Sequence, residues 1–316
     1  MATNDRARLV AVTGGTGFVG VALVARLLAD GFSVRALART PEKLERWNGA
    51  VEPTPGALNQ PDALETRCDG ADAVVNLAAL THALTPQAFQ ATNVDGAAVL
   101  ARAARATGAR LVHVSSMAAR RPDLSPYARS KRESERVVAA ASRENPCLSL
   151  RMPAIYGPED LATLPYYKLV KRGFAVEPAT ATPARFSILH VDDAARALVA
   201  AIDAPAGPTY EVGDESPFGH AWRDLAAGLA RAFGRRAREI RLPRAALDMA
   251  GAAGELAAHV RRRATMTTRG KVAELFHDDW VARDSLFADA TAWRPSTPLA
   301  EGLARTARWY EARGLL

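Results

Sequence analysis

The most constraining feature of this sequence is a cluster of glycines between an apolar run and a helical pattern near its start. Residues 8–13 predict a buried strand, and Gly14, Gly17 and Gly20 follow within the next seven positions. Phe18 then opens a helical periodicity of about three turns. A strand that turns through glycines into a helix lets a phosphate approach the backbone N–H groups at the helix N-terminus. The turn therefore predicts a dinucleotide site and a strand–helix–strand fold.

Alternation of short apolar runs with helical patterns continues through the first half of the chain. Such a rhythm indicates a parallel sheet with helices on both faces. Thr85-Pro86 and Ser125-Pro126 have the residues of helix starts, and predict helices over 85–108 and from 125 to about 145. The predicted strands are 8–13, 32–38, 71–79, 110–116, 147–155 and 186–191, with a weaker one at 50–57 that Pro53 and Pro55 interrupt.

Length and pattern together predict two regions. A chain of 316 residues is long enough for about two domains. We predict an α/β fold, a Rossmann-type doubly wound parallel sheet with a smaller, mostly helical C-terminal region. The predicted boundaries are 1–155 for the nucleotide-binding domain, with its sheet completed by segments near 186–203, and 156–316 for the substrate-binding region.

Composition disfavours several classes of protein. Two cysteines, Cys68 and Cys147, cannot form a disulfide framework, and no Cys/His cluster suggests a metal site. The polar start of the chain has no signal-peptide pattern, and no run of about 18 uncharged apolar residues predicts a transmembrane helix. We therefore expect a cytoplasmic protein with a small-molecule substrate, no metal and no transmembrane segment.

The chain has a net charge of +7, and most of it is local. Residues 231–263 contain nine arginines, no lysine and three acidic residues, so this segment carries +6. It lacks the interleaved aromatic residues that are typical of nucleic-acid binding, and we expect no nucleic-acid partner. The favoured interpretation is a solvated Arg-rich face. An anionic substrate group and contact with an anionic membrane surface stay as alternatives.

The end of the second strand distinguishes the two nicotinamide cofactors. An acidic residue there accepts hydrogen bonds from the ribose of NAD, whereas an arginine accommodates the 2′-phosphate of NADP. No Asp or Glu stands here before Glu42, while Arg35 and Arg39 are available. We therefore predict NADP, with Arg39 as the better candidate and NAD as the alternative. The competing interpretation is that both arginines are solvated surface residues.

A tyrosine and a lysine lie one turn apart on the helix that begins after Ser125. Tyr127 and Lys131 have i, i+4 spacing and therefore share one helix face. A nearby ammonium group stabilises a phenolate, so Lys131 is expected to bring the pKa of Tyr127 down towards neutral. Ser116 ends the preceding strand, at the sheet edge where open α/β folds bind ligands. The competing interpretation is an ordinary exposed helix pair.

Several short motifs follow one another in a fixed order along the chain. They are the glycine turn at 13–20, the segments 76–79 and 93–96, Ser115-Ser116, Tyr127-x-x-x-Lys131, and the segments 151–158, 190–193 and 210–213. Together they resemble the extended branch of the short-chain dehydrogenase/reductase superfamily, which includes the NAD-dependent epimerase/dehydratase group. The resemblance implies Tyr127 as catalytic acid/base, Lys131 as its ribose-binding partner, Ser116 as the residue that holds the substrate oxygen, and Asn93 as a residue that shapes the active site.

The glycine turn, the second strand and the resemblance together define the expected contacts. Cofactor contacts are expected from Gly14, Thr16, Gly17, Phe18, Val19, Gly20, Arg35, Arg39, Leu58, Leu77, Ala78, Ala79, Lys131, Pro153 and Ile155. Substrate contacts are expected from Thr81, His82, Met117 and Tyr156. The resemblance also implies a homodimer through the helices at 86–107 and 126–145.

Departures from the family pattern narrow the expected reaction. The family has Gly-Asp-Leu after the third strand, and this chain has Gly56-Ala57-Leu58 at that position. We therefore expect backbone groups or other residues to contact the adenine. Met117-Ala118 stand where sugar-nucleotide dehydratases carry an acidic pair, which disfavours dehydration. The C-terminal third has a looser resemblance to 3β-hydroxysteroid dehydrogenase-like reductases.

The expected activity is therefore an NADP(H)-dependent oxidoreductase that interconverts a ketone and a secondary alcohol with Tyr127 as acid/base. The substrate is expected to be an apolar ketone or alcohol, or a sugar nucleotide. One alternative is an NAD-dependent sugar-nucleotide epimerase that uses the same Ser, Tyr and Lys. A second alternative is a non-catalytic dinucleotide-binding or redox-sensing protein.

Overall fold

A seven-stranded parallel sheet forms the centre of the protein, seen here in a computed structural model that describes residues 7–38, 40–56, 58, 64, 68–142, 145–207 and 209–316. The order in the sheet is β11-β6-β5-β4-β1-β2-β3, which confirms the predicted doubly wound α/β fold. Arg39 and Ala57 lie outside the described residues. The strands of this sheet are β1 (Leu9–Thr13), β2 (Ser33–Ala38), β3 (Val51–Pro55), β4 (Ala73–Asn76), β5 (Arg110–Ser116), β6 (Cys147–Met152) and β11 (Thr209–Glu211).

Helices cover both faces of this sheet. Leu23 and Leu27 of α1 pack with Leu198 of α6 in one apolar cluster, and Leu100 of α3 and Val138 of α4 lie in the cluster on the other face. The helices are α1 (Phe18–Ala29), α2 (Pro86–Phe89), α3 (Gly96–Ala106), α4 (Pro126–Ala141), α5 (Leu164–Lys171), α6 (Val191–Ala201), α7 (Trp222–Ala232), α8 (Arg244–Arg261), α9 (Arg269–Leu275), α10 (Phe287–Ala290) and α11 (Leu299–Ala312). None of these helices is long and apolar enough to cross a membrane.

The third strand confirms the weak prediction at 50–57. It is the edge strand of the sheet, beside β2. An edge position tolerates Pro53 and Pro55, because a strand with one unpaired side needs fewer N–H donors.

The strand that completes the sheet is not the predicted one. We predict segments near 186–203 in this position, whereas the seventh strand is β11, which lies beside β6. Residues 188–190 form β10 (Ile188–His190), which pairs with β7 (Ala154–Tyr156) in a separate two-stranded sheet. Pro153 separates β6 from β7 within the segment predicted as one strand, because it lacks an N–H to continue the ladder.

The helix predicted over 85–108 is continuous but not uniform. Thr85 caps its start by accepting a hydrogen bond from Ala88 N at 3.3 Å, as its sequence predicts. Between α2 and α3 the chain takes a π-helical turn over Gln90–Asp95. Such turns are rare and are found frequently at functional sites.

The remaining elements lie in the C-terminal half of the chain. Tyr167, Leu229 and Tyr310, from α5, α7 and α11, are buried together in a third apolar cluster. The same half of the chain contains two more sheets. One is the strand pair of β8 and β13, and the other is a small sheet of β9, β12 and β14. These strands are β8 (Phe174–Pro178), β9 (Arg185–Phe186), β12 (His220–Ala221), β13 (Arg238–Leu242) and β14 (Asp279–Trp280).

Candidate active site

The glycine turn lies at the point where the strand order reverses, between β1 and β4. Gly14 has a φ of +71°, and a Cβ atom there would lie 2.9 Å from Ala78 N, in the chain that leaves β4. A Cβ atom on Gly20 would overlap the carbonyl oxygen of Gly14, so only glycine lets α1 pack against the turn. Gly17 is the N-cap of α1 and has no side chain to occupy the helix N–H groups. The turn therefore fits a pyrophosphate.

The other expected cofactor residues lie around the carboxyl edge of the sheet. Leu77, Ala78 and Ala79 follow β4 directly, and Pro153 and Ile155 follow β6. Thr16, Phe18 and Val19 belong to the turn and to the first turn of α1, and Leu58 is buried against Gly96 at the start of α3. These predicted positions therefore lie at one edge of the sheet. Their contact with a nucleotide stays a prediction.

Arg35 does not occupy the position expected of a cofactor-binding arginine. Its guanidinium group donates to Glu52 Oε1 on β3 at 2.9 Å and to the carbonyl oxygen of Asp69 at 2.8 Å. Asp69 precedes β4, so these bonds direct the side chain away from the carboxyl edge. Arg39, the better candidate, lies outside the described residues.

A buried chain of hydrogen bonds joins the glycine turn to α4. Thr13 Oγ1 accepts from Ala78 N at 3.2 Å and donates to Asn76 Oδ1 at 2.8 Å. Asn76 Nδ2 lies 3.2 Å from His113 Nδ1, and His113 Nε2 lies 3.0 Å from Ser134 Oγ on α4. Burial, followed by the charge of Lys131, lowers the pKa of His113 well below its ordinary value. The imidazole is therefore neutral and serves as a structural link.

Tyr127 and Ser116 are brought together as the sequence predicts. Burial raises the pKa of Tyr127, while the neighbouring Ser116 hydroxyl and the charge of Lys271 act in the opposite direction. The expectation that Lys131 lowers the pKa of Tyr127 is therefore not met, because the nearby cation is Lys271 and burial outweighs it. The Ser116 hydroxyl also accepts from Ala118 N at 3.2 Å.

Lys131 is buried on the same helix, one turn after Tyr127. Its Nζ donates to the carbonyl oxygen of Val114 on β5 at 2.6 Å. Burial lowers its pKa to about 8, an effect that the charge of Glu135 partly offsets. A buried ammonium group beside the carboxyl edge of the sheet fits the ribose-binding role that the resemblance implies.

Asn93 lies within the π-helical turn and is buried. Its Oδ1 accepts from Leu80 N at 2.7 Å, and its Nδ2 donates to Leu80 O at 3.0 Å and to Ser130 Oγ at 2.9 Å. Ser130 Oγ in turn donates to the carbonyl oxygen of Tyr127 at 2.7 Å. Asn93 thus joins the loop after β4 to the helix turn that carries Tyr127, which makes it a positioning residue.

The expected substrate residues divide into two groups. Thr81 and His82 are exposed, with Thr81 Oγ1 lying 3.1 Å from His82 Nδ1, whereas Met117 is buried. The position of Tyr156 does not support the prediction of substrate contact. It is 1% exposed, its hydroxyl donates to Leu299 O at 3.4 Å, and its ring packs edge-on against His190. Tyr156 therefore belongs to the core that joins β7 to α11.

Two acidic residues near the site, Glu135 and Glu274, are not predicted from the sequence. Glu135 on α4 accepts from Ser115 Oγ at 2.6 Å and forms two bonds with Arg151 on β6, at 2.9 and 2.8 Å. Glu274 on α9 accepts from the Ser125 hydroxyl and forms a 2.7 Å ion pair with Lys271. Glu135 is four residues after Lys131, a spacing that places both on one helix face, but nothing in the sequence relates α9 to Tyr127.

Comparison with known proteins agrees with this geometry. Residues 10–213 match the profile of the NAD dependent epimerase/dehydratase family. The chain is 39% identical to a ceramide reductase from Caulobacter vibrioides over 318 aligned residues, which cover 100% of this chain and 98% of that protein.

Two further relatives extend the comparison. A 4-hydroxy-2-methyl-3-oxo-4-farnesyl-3,4-dihydroquinoline-1-oxide ketoreductase from Stigmatella aurantiaca is 31% identical, over 65% of this chain and 68% of that protein. The UDP-glucose 4-epimerase of Thermotoga maritima shares the fold, with a TM-score of 0.74 at 19% identity over 96% of this chain and 99% of that one. The chain therefore belongs to the NAD-dependent epimerase/dehydratase family, and is an NAD(P)-dependent oxidoreductase of the extended short-chain dehydrogenase/reductase type.

Proposed function

We propose that this chain is an NADP(H)-dependent reductase that converts a ketone of a ceramide-like lipid into a secondary alcohol. The observation that carries the proposal is the end-to-end similarity to a ceramide reductase, at 39% identity. The proximity of Ser116 to Tyr127, and the burial of Lys131 one turn further along α4, support a carbonyl reduction at this site.

In the proposed reaction the residues of the chain handle the carbonyl oxygen and its proton. NADPH, when bound, supplies the hydride for the carbonyl carbon. Ser116 donates a hydrogen bond to the carbonyl oxygen, and Tyr127 gives its phenolic proton to that oxygen as the C–H bond forms. Because burial raises the pKa of Tyr127, the residue holds its proton at neutral pH, as a reduction requires. The charge of Lys271 stabilises the phenolate that remains, and Lys131 is placed to bind the ribose.

The preference for NADP is supported by the second strand. Neither Ser33–Ala38 nor the next two positions contain an acidic residue, so no carboxylate is present to bind the ribose hydroxyls of NAD. Since Arg35 is held by Glu52, the arginine proposed to meet the 2′-phosphate is Arg39. The homodimer through α2, α3 and α4 stays a prediction.

The test is reduction of a keto-ceramide by NADPH that carries deuterium at the transferred position of C4. We expect an alcohol with one deuterium at the carbinol carbon and one equivalent of NADP⁺. Tyr127→Phe is expected to lower kcat/KM by a factor of about 100 or more and to leave NADPH binding intact. Tyr210→Phe is the matched control, because the Tyr210 hydroxyl bonds to Pro205 O, on a different part of the fold.

Three results would count against the proposal. Full activity of Tyr127→Phe would mean that another group supplies the proton. Epimerisation of a UDP-sugar without net consumption of cofactor would favour the epimerase alternative. Reduction with NADH alone would refute the assignment of NADP.

A further inference from the structure

Helix α8 exposes an apolar stripe on its outer side. Its large members are Met249, Leu256 and Val260, which are 73%, 68% and 77% exposed. With 100° per residue, they and four exposed alanines lie within an arc of about 120°. The alanines of this stripe are Ala245, Ala246, Ala252 and Ala253. No charged residue of α8, which is described along its whole length, falls within the arc.

The opposite side of α8 is packed, so the outward direction of the stripe is fixed by the fold. A Cβ atom on Gly251 would lie 2.9 Å from Arg269 N at the start of α9, and a Cβ atom on Gly254 would overlap the carbonyl oxygen of Thr267. Ala258, one turn further, is buried. The stripe is therefore not the inner face of a poorly packed helix, and an apolar surface of this kind marks an interaction site.

Basic groups stand at both ends of the stripe. Arg261, Arg262 and Arg263 are exposed at the C-terminal end of α8, and their guanidinium groups have no ion pair or hydrogen bond with the part of the chain that the structure describes. Arg244 is at the other end, 3.5 Å from Asp248 and 5.6 Å from the centroid of the Phe276 ring. The surface thus combines an apolar stripe with three uncompensated positive charges at its C-terminal end, and suits an anionic partner.

We propose that α8 docks in the interface of an anionic lipid bilayer, with the stripe at the acyl boundary and Arg261, Arg262 and Arg263 among the headgroups. An exposed apolar helix face with flanking arginines is typical of interfacial helices, which lie in the membrane plane and do not cross it. A second copy of this chain is a poor occupant. A parallel pair of α8 helices would bring Arg261, Arg262 and Arg263 against their own counterparts, and an antiparallel pair would leave them facing the Arg244–Asp248 pair, which has no net charge.

The position of α9 relates this surface to the active site. α9 packs on the inner side of α8. Its Lys271 Nζ lies 5.7 Å from the centroid of the Tyr127 ring, and its Glu274 accepts from the Ser125 hydroxyl. The docking itself does not depend on the proposed reaction. If the substrate is a lipid ketone, however, docking through α8 would place the bilayer one helix away from Tyr127.

The test is flotation of the full chain with vesicles of phosphatidylcholine, alone or with one third phosphatidylglycerol. We expect flotation with the anionic vesicles and a steep loss in high salt. Leu256→Glu with Val260→Glu is expected to lower the partition coefficient at least tenfold. The triple change of Arg261, Arg262 and Arg263 to Gln is expected to lower it by about 100-fold, because each basic residue near an anionic surface contributes roughly fivefold.

Two control variants make the same kinds of substitution at exposed positions outside α8. Phe218→Glu changes a side chain that is 77% exposed, and the triple change of Arg172, Arg223 and Arg308 to Gln removes three exposed positive charges. Both are expected to leave the partition coefficient within twofold of the unsubstituted chain. All variants should keep the unfolding temperature and the NADPH-dependent reduction of a water-soluble ketone, so a failed reductase assay and failed docking are separate results.

Three results would overturn the docking proposal. The first is absence of flotation with anionic vesicles. The second is an equal loss in either control. The third is a change of oligomeric state in the Leu256→Glu, Val260→Glu variant, measured by light scattering, with unchanged flotation, which would identify the stripe as an interface between copies of this chain.

Discussion

The ammonium group of Lys271 lies 5.7 Å from the centroid of the Tyr127 ring. The two residues are far apart in the sequence and meet because α9 packs over the start of α4, where the Ser125 hydroxyl donates to Glu274. Lys271 is also paired with Glu274 at 2.7 Å. The charge of Lys271 opposes the rise that burial causes in the pKa of Tyr127. The C-terminal region therefore takes part in setting the acidity of the candidate catalytic residue.

Lys271→Gln is expected to shift the pH profile of alcohol oxidation to higher pH. In this direction Tyr127 accepts the proton, so the rate rises as the pH passes through its pKa. Loss of the Lys271 charge also leaves the negative charge of Glu274 without its ion-pair partner, and both effects raise the pKa of Tyr127 further. We therefore expect the rising limb of kcat/KM to begin at a higher pH than in the unsubstituted chain. Lys168→Gln, which removes an exposed charge of α5, is the control. A rising limb that stays at the same pH in Lys271→Gln would exclude the coupling.

The sheet is predictable because its signals are local. The glycine turn after β1 and the Thr-Pro and Ser-Pro helix starts each lie within a few residues. The seventh strand is harder, since Thr209–Glu211 is short and its place beside β6 is decided by packing. The π-helical turn that carries Asn93 is another tertiary effect. Its sequence is compatible with an ordinary helix, and no periodicity marks it.

Within the site, the sequence predicts which residues lie together when they are close in the chain. It does not predict contacts between residues that are far apart in the chain. Tyr127 and Lys131 share a helix face, so their spacing is sufficient to relate them. Tyr156 lies in a segment that resembles a family motif, but its side chain is buried against His190. This burial depends on the packing of α11, which the sequence does not predict. Lys271 has no local signal at all.

Arg39→Ala is expected to weaken NADPH binding selectively. Loss of a charged hydrogen bond to the 2′-phosphate costs about 1.5–3 kcal/mol, which is roughly a 10- to 150-fold rise in the Kd for NADPH. The Kd for NADH should stay the same. Both constants can be measured by nicotinamide fluorescence.

Arg35→Ala is the matched control for this change. Because Arg35 is held by Glu52 and Asp69, its removal should not change the ratio of the two dissociation constants. A selective loss of NADPH binding in Arg35→Ala, with none in Arg39→Ala, would reverse the assignment of the two arginines.

Arg151→Leu is expected to destabilise the fold by about 3 kcal/mol, because it leaves the carboxylate of Glu135 buried without its main partner. Arg151 makes two bonds to Glu135 and connects β6 to α4. The free energy of unfolding in urea measures this. Arg136→Leu breaks an exposed pair with Glu133 on the same helix and should cost less than about 0.5 kcal/mol. An equal loss in the free energy of unfolding in both variants would show that the buried pair contributes no more to stability than the exposed pair.

His113 is expected to make the fold less stable at mildly acidic pH. Burial holds the pKa of His113 well below its ordinary value, so below about pH 6.5 the unfolded chain binds a proton that the folded chain does not. The free energy of unfolding therefore falls as the pH drops from 6.5, by up to about 2 kcal/mol at pH 5 from this residue. Urea unfolding at pH 7.5 and pH 5 measures the difference.

In His113→Asn this part of the acid loss should disappear, although the variant is less stable at both pH values because Asn76 and Ser134 lose their partner. His82→Asn, which changes an exposed histidine, should keep the full loss of the unsubstituted chain. If His113→Asn retains that loss, the proton enters elsewhere, and the buried chain from Thr13 to Ser134 is not what limits stability in acid.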